Sequence, residues 1–270
     1  MGKTWLLVGL AGLSGLVVGW LLNICSTRWP LDASVNSPAP QCTSCFSSIR
    51  WHDNIPVLSW LILSGKCRDC STVFSLQYPL VELTSGLLWI AMFILHGSSW
   101  EALRGSIFLS ILLGMAISDA RFYIIPDQFS LGGTILGIAL SFFPGGIGWA
   151  DALGGLLVGY TFLWFISEVG TRIIDKISPG RLNEEGLEKA MGGGDIKMMM
   201  MVGSFVGISG VAETAFLASL GGLIIYGPIA MLCRRPIPFG VFLAVAGAIT
   251  YLWGDAMMNY YLAFISSVGA

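Results

Sequence analysis

The sequence predicts an all-α polytopic membrane protein with about eight transmembrane helices and a small cytoplasmic insertion after the first span. Three observations carry that prediction. The mean hydropathy is +0.77 and 55% of the 270 residues are hydrophobic. Only 11% are charged, against about 25% in a typical soluble domain, too few to cover a water-facing surface. The apolar residues are also grouped into separate runs, several of them near the roughly 20 residues that one bilayer crossing needs.

The first run, 5–24, follows a single Lys3 and ends in Asn23-Ile24-Cys25. It is longer than the apolar core of a signal peptide and lacks a small-residue cleavage pattern, so it is expected to be a retained span. A polar stretch, 26–77, follows, with four of the six cysteines. The remaining spans are expected at 78–95, 104–118, 128–143, 151–173, 197–208, 214–232 and 238–253, with a tail from Ala256. The expected division is a first helix at 1–25, a cysteine-rich domain at 26–77 and a membrane-embedded domain at 78–270.

Lysine and arginine set the orientation, because they collect in cytoplasmic loops. Threading eight spans places twelve of the fourteen on one side and leaves only Lys3 and Arg104 on the other. The cysteine-rich segment and the loops at Asp119 and Asp195 then share the cytoplasmic face. The net charge of −2 and the lack of a basic run exclude a nucleic-acid partner; the lipid bilayer is the expected environment.

Cys42-Thr-Ser-Cys45 and Cys67-Arg-Asp-Cys70 are two C-x-x-C pairs with 21 residues between them. Each pair can present two thiolates from one tight turn, and together they complete a tetrahedral four-sulfur zinc site. A disulfide pair or a redox motif is the alternative, and a cytoplasmic location disfavours stable disulfides. A closed site of this kind is structural, and a segment of roughly 50 residues has too small a core to be stable without such a staple. Cys25 and Cys233 are expected to be packing residues.

Carboxylates near the membrane are the candidates for chemistry, since ionisable groups in spans are costly and often functional. Asp119 ends an apolar run, at the negative end of its helix, where a purely structural carboxylate is disfavoured. Pairing with Arg121 is the alternative. Asp127 follows Pro126 and precedes an apolar run, the place of an N-cap. Asp195 closes Gly192-Gly193-Gly194-Asp195, followed by Ile196-Lys197, where glycines permit unusual backbone and close approach; N-capping is the alternative. Two carboxylates sharing a site cannot both ionise easily, so one keeps a proton while the other activates water. That pairing points to aspartyl proteolysis. Helix ends further predict that Asp195, near an N-terminus, is the ionised member and Asp119 the protonated one. A transporter binding protons or cations at the Asp pair and a non-catalytic assembly protein remain as alternatives. The two histidines, His52 and His96, fall away from both aspartates, and no nucleophile elbow, H-E-x-x-H helix or dinucleotide fingerprint occurs.

The ordered set of motifs resembles the bacterial type IV prepilin peptidases, leader peptidases with an attached N-methyltransferase activity. It comprises Leu22-Asn23, both cysteine knuckles, Trp51-His52-Asp53-Asn54-Ile55-Pro56-Val57-Leu58-Ser59 and Tyr78-Pro79-Leu80-Val81-Glu82-Leu83. It continues with Ser118-Asp119, Ile125-Pro126-Asp127, Met191 to Lys197 and Pro236-Ile237-Pro238-Phe239-Gly240. The resemblance covers nearly the whole chain. It implies cleavage of the short basic leader of prepilins or pseudopilins at the cytoplasmic face of the bacterial inner membrane, in pilus assembly or type II secretion. It also implies methylation of the new N-terminus from S-adenosylmethionine. It assigns the catalytic pair to Asp119 and Asp195, with Gly192, Gly194, Asp127, Lys197 and Glu82 in support and Cys42, Cys45, Cys67 and Cys70 on zinc. The GxGD motif is shared with intramembrane aspartyl proteases such as presenilin. Position 193, a glycine here, often holds a larger residue in relatives. Glu184, Glu185 and Glu188, just before the glycines, are expected either to meet leader lysines or to form a solvated turn.

Overall fold

The computed structural model describes residues 2–36, 40–180, 188–233 and 238–268. Among them are eight α-helices, with β-structure limited to isolated bridges. They are α1 (Gly2–Arg28), α2 (Leu58–Ile62), α3 (Gln77–His96), α4 (Trp100–Phe122), α5 (Asp127–Ser141), α6 (Trp149–Ile177), α7 (Gly193–Cys233) and α8 (Phe239–Val268). Every predicted span is helical. Six of the helices are long and apolar enough to cross a membrane, while α5 has 15 residues. The predicted segments 197–208 and 214–232 both lie in α7, which breaks at Gly207, whose φ of 75° is open to glycine at little strain. The tail from Ala256 continues α8 rather than forming a separate segment.

Local chemistry sets the helix ends. Pro79 stands in the first turn of α3, where its missing N–H removes no helical bond. Gly97, at φ 66°, ends that helix. Ser99 caps α4 by accepting the Ala102 N–H at 3.1 Å. Tyr123, at φ 55°, donates its N–H to the Asp119 carbonyl and closes α4.

The helix faces are dominated by exposed large apolar side chains, among them Trp5, Leu87, Ile135, Phe165, Ile224 and Tyr260. A water-soluble monomer rarely exposes so much contiguous apolar surface; lipid tails satisfy it.

The chain forms two compact units, Met1–Ser118 and Asp119–Ala270. In the first, α1 packs along α3, and the Ser118 hydroxyl donates to the Ser26 carbonyl at 3.1 Å, tying the end of α4 to the end of α1. In the second, α7 is the hub, packed on α5, α6 and α8. The α6–α7 contact is backbone on backbone. The space a Cβ would fill at Gly155 is held by the Gly203 carbonyl oxygen and by Gly207, as expected where small residues replace the hydrophobic effect as the packing device in lipid. Gly155→Val should therefore destabilise the second unit by about 1–3 kcal/mol or more, measured as a lowered midpoint of thermal unfolding; an unchanged midpoint would refute the close packing.

Candidate active site and metal centre

The metal centre lies wholly within the first unit. Cys42 and Cys67 begin two turns of the same construction. In each, the cysteine N–H bonds a carbonyl five residues on (Ser47 or Thr72), and its carbonyl accepts the N–H of the residue four on (Phe46 or Ser71). Phe46 and Ser71 both take positive φ, 58° and 60°. The four sulfurs all lie within 4.8 Å of one another. Cys42 and Cys70 Sγ are 3.6 Å apart and Cys45 and Cys67 Sγ 3.9 Å. A tetrahedral zinc with sulfurs at about 2.3 Å would space them at about 3.8 Å, so the four residues fit a metal. The Thr72 hydroxyl, then the Thr72 backbone, pull the Cys70 thiol down to about 6, and the Ser47 hydroxyl lowers Cys45 in the same way. Both shifts favour the thiolates that a metal needs. The sulfurs converge as a set of four, which is unlike a pairwise redox motif. Cys25, by contrast, is simply buried packing.

Also in the first unit, Glu82 is buried, at 6% exposure, and its Oε2 accepts the Val57 N–H at 2.7 Å. His52 stands beside Trp51 and Asp53, and His96 pairs with Glu101 at 3.2 Å.

The second unit brings together the ends of four helices. Asp119 lies in the last turn of α4, Asp127 opens α5, Asp195 is the third residue of α7, and Gly240 is the second of α8. The Asp119 side chain is 5% exposed, and its Oδ2 accepts the Val241 N–H at 3.1 Å. The Gly240 backbone also faces it. Arg121 lies over the Phe122 ring at 5.4 Å, so Asp119 takes its partner from α8 and not from its own neighbour. Asp195 is half-buried, and the Asp119 carboxylate acts on it electrostatically.

Ile125, 8% exposed, fits between two glycines of this cluster. A Cβ on Gly194 would stand 3.1 Å from it, and one on Gly240 would stand 2.8 Å from Ile125 Cδ1 and 2.9 Å from Asp119 Oδ2. A Cβ on Gly192 would meet Asp195 Oδ2 at 3.3 Å, whereas Gly193 has open space. None of the three glycines before Asp195 has a positive φ. Gly192 and Gly194 therefore provide the close approach expected from the sequence, while none of the three supplies unusual backbone. The open space at 193 leaves room for a larger residue there.

Two expectations change here. Asp127 does not cap α5: Pro126 occupies that position without a side-chain cap bond, and the Asp127 carboxylate takes Lys197 Nζ at 2.7 and 2.8 Å. A full positive charge from α7 outcompetes the partial charges of the amides. The predicted inequality of the aspartates also loses its basis. The helix α8 presents N-terminal N–H groups to Asp119, so this carboxylate meets a helix end of each polarity. Gly240 and Val241 were not singled out in the sequence as site residues; the available signal was a glycine in the first helical turn directly after Pro238. Glu184 and Glu185, and the first two residues of Pro236-Ile237-Pro238, lie outside the described residues; Glu188 is exposed.

The chain matches two family models: the Bacterial Peptidase A24 N-terminal domain over residues 13–96 and the Type IV leader peptidase family over residues 106–227. It is 34% identical to a prepilin leader peptidase/N-methyltransferase of Stutzerimonas stutzeri, covering 93% of this chain and 92% of the relative. It is 30% identical to one of Aeromonas salmonicida (strain A449), covering 98% and 97%. With one of Myxococcus xanthus (strain DK1622) it shares 33% identity over 78% of this chain and 59% of the relative. No solved structure matches it. The two models together cover most of the chain, and the Stutzerimonas and Aeromonas relatives align nearly end to end: the chain belongs to the type IV leader peptidase family.

Proposed function

We propose that this chain is a membrane aspartyl peptidase that removes the short leader of prepilins or pseudopilins and N-methylates the new N-terminal residue. The observation that carries the peptidase reading is the Asp119–Asp195 pair, held by four helix ends in a family of leader peptidases. Two facing carboxylates share one proton. The ionised member takes a proton from water as it attacks the scissile carbonyl, and the protonated member supports the developing oxyanion. The pair titrates as one unit, so neither proton belongs to a named residue. Gly192 and Gly194 give the pair room, and Lys197 with Asp127 ties the start of α7 to the start of α5. That exposed ion pair contributes about 0.2–1 kcal/mol, so its role is alignment.

The charge distribution supports placing the site and the cysteine-rich segment on the cytoplasmic side of the bacterial inner membrane, with twelve cations on that face against two. In this division, 1–25 anchors the chain, 26–77 is a domain held by zinc, and 78–270 carries proteolysis. Zinc is favoured by four thiolates at tetrahedral spacing. S-adenosylmethionine is the methyl donor implied by the methyltransferase in the relatives' names.

The proposal is tested by incubating purified protein with a prepilin and following both leader release and the mass of the mature N-terminus. A preparation that is folded and lipid-embedded yet releases no leader would favour a transporter or an assembly protein. Within the site, Gly240→Ala should lower cleavage at least about tenfold, since its methyl would displace either Ile125 or the Asp119 carboxylate that must be positioned to well under 1 Å. Gly193→Ala should cleave normally. Equal rates for the two variants would contradict the packing described here.

A further inference from the structure

Within the first unit, the cysteine-rich segment is bonded to its two flanking helices well inside the stretches long and apolar enough to cross a membrane. Trp20 Nε1 donates to Asn54 Oδ1 at 3.1 Å, and the Val57 N–H donates to Glu82 Oε2 at 2.7 Å. Trp20 belongs to the stretch Trp5–Leu31 and Glu82 to Gln77–His96. At about 1.5 Å per residue, Trp20 stands roughly 12 Å along α1 from its last residue, Arg28, and Glu82 roughly 8 Å along α3 from its first, Gln77. Leu80 and Leu83, on either side of Glu82 in the chain, are exposed on α3, as is Leu87. Lipid that covers these leucines reaches the level at which Val57 is held.

The helix α2 starts one residue after Val57, and its surface is inverted for an element in water. Leu58, Leu61 and Ile62 are 50%, 60% and 68% exposed, at the i, i+3 and i+4 spacing of a single helix face. The polar Ser59 is turned inward, where its hydroxyl accepts the Ile55 N–H and donates to the His52 carbonyl. Trp60 packs on Gly65, where a Cβ would stand 2.8 Å from the indole ring. The backbone is closed in the same way. The N–H groups of Ile55, Val57, Ser64, Gly65 and Lys66, which flank the helix, are all bonded within the chain. Water could serve such groups at a free surface; in lipid only the chain can. Arg50, Trp51 and Lys66, on either side of this stretch in the sequence, are exposed, and tryptophan and cations are the side chains that settle at headgroup level.

We propose that α2 is an interfacial helix seated in the bilayer, with Leu58, Leu61 and Ile62 among the upper acyl chains and Arg50, Trp51 and Lys66 at the headgroups. The leaflet is the cytoplasmic one in the orientation proposed above. Depth selects lipid as the occupant. The two tethers lie roughly 8–12 Å inside the helix ends, close to the 5–10 Å at which amphipathic interfacial helices rest. One edge of the cysteine-rich segment is then a membrane element, held at that depth by Trp20 and Glu82.

The test uses the full-length protein in nanodiscs of phosphatidylethanolamine and phosphatidylglycerol. A fluorescent non-natural amino acid replaces Ile62 or, as the water-facing reference, the exposed Asp69 between Arg68 and Cys70. Lipids brominated in the upper acyl chain should quench the label at 62 at least about threefold more than the label at 69, and aqueous iodide should do the reverse. An unchanged proteolysis pattern over residues 40–75 shows that the labelled segment is intact; if the label at 62 alters it, the same measurement is made at Leu61. Iodide quenching at 62 equal to that at 69 would put α2 in water and overturn the proposal. Protection from both quenchers would show that protein covers this face, another copy of the chain or another part of it, and would overturn the proposal equally.

Discussion

Replacing either Asp119 or Asp195 by Asn should lower leader cleavage by at least about 10²–10⁴-fold, the usual worth of a positioned acid or base, while leaving the fold in place. The reason to expect a clean loss is geometric. In Asp119→Asn the new amide keeps an oxygen that can accept the Val241 N–H now bonded to Asp119 Oδ2. The start of α8 therefore stays docked and only proton transfer is removed. Because the two carboxylates act as one unit, the double variant should be no slower than the worse single one. The measurement is single-turnover cleavage of a purified prepilin in the same detergent or nanodisc for all three variants. A wild-type rate in either single variant would remove that residue from the mechanism. Additive losses would show two independent roles in place of a shared one.

Removing the metal should have the second large effect, and it should be confined to the cysteine-rich segment. Each knuckle is closed by three backbone hydrogen bonds, the outermost being Ile49 N–H to the Pro40 carbonyl in one and Phe74 N–H to the Gly65 carbonyl in the other, and among the described residues two 3₁₀ or α turns, 51–53 and 58–62, are the only regular helices between α1 and α3 apart from the turn that ends α1. So little apolar burial cannot hold the segment, and metal binding is then folding free energy, about 10–16 kcal/mol in isolated zinc peptides. Purified protein should carry one zinc per chain by elemental analysis. Cys67→Ser, at a buried ligand, should lose it and make residues 40–75 the first site of proteolysis. Acidification should release zinc as well, since thiolates must be deprotonated to bind and the affinity falls as pH falls. A metal-free preparation with unchanged protease resistance would refute the structural role.

Much of this protein is legible in one dimension because the bilayer restricts what apolar runs can do. In lipid, every backbone polar group must be bonded within the chain, and runs such as 5–24 and 151–173 have no option but helix. The cysteine knuckles are equally local, since a C-x-x-C turn sets its own geometry. Span borders were less clear. The run through Met198 to Met201 continues apolar beyond Gly207, and only the backbone angle there shows where α7 breaks.

Composition, spacing and charge are properties of the chain as written, and they were enough for an all-helical membrane protein, a four-thiolate site and two unexplained aspartates on one face. What those aspartates touch emerged only on folding. Asp119 could not be read as a partner of the first turn of α8, since 122 positions separate it from Val241 and no local pattern encodes such a contact. Nor could Asp127 be read as the partner of Lys197, 70 positions away; its place after a proline resembled a cap until a lysine from α7 was brought within reach. The depth of Leu58, Leu61 and Ile62 is set only once Trp20 and Glu82, from two different helices, hold Asn54 and Val57. Long-range contacts depend on how helices pack, and packing here follows from where a glycine makes room.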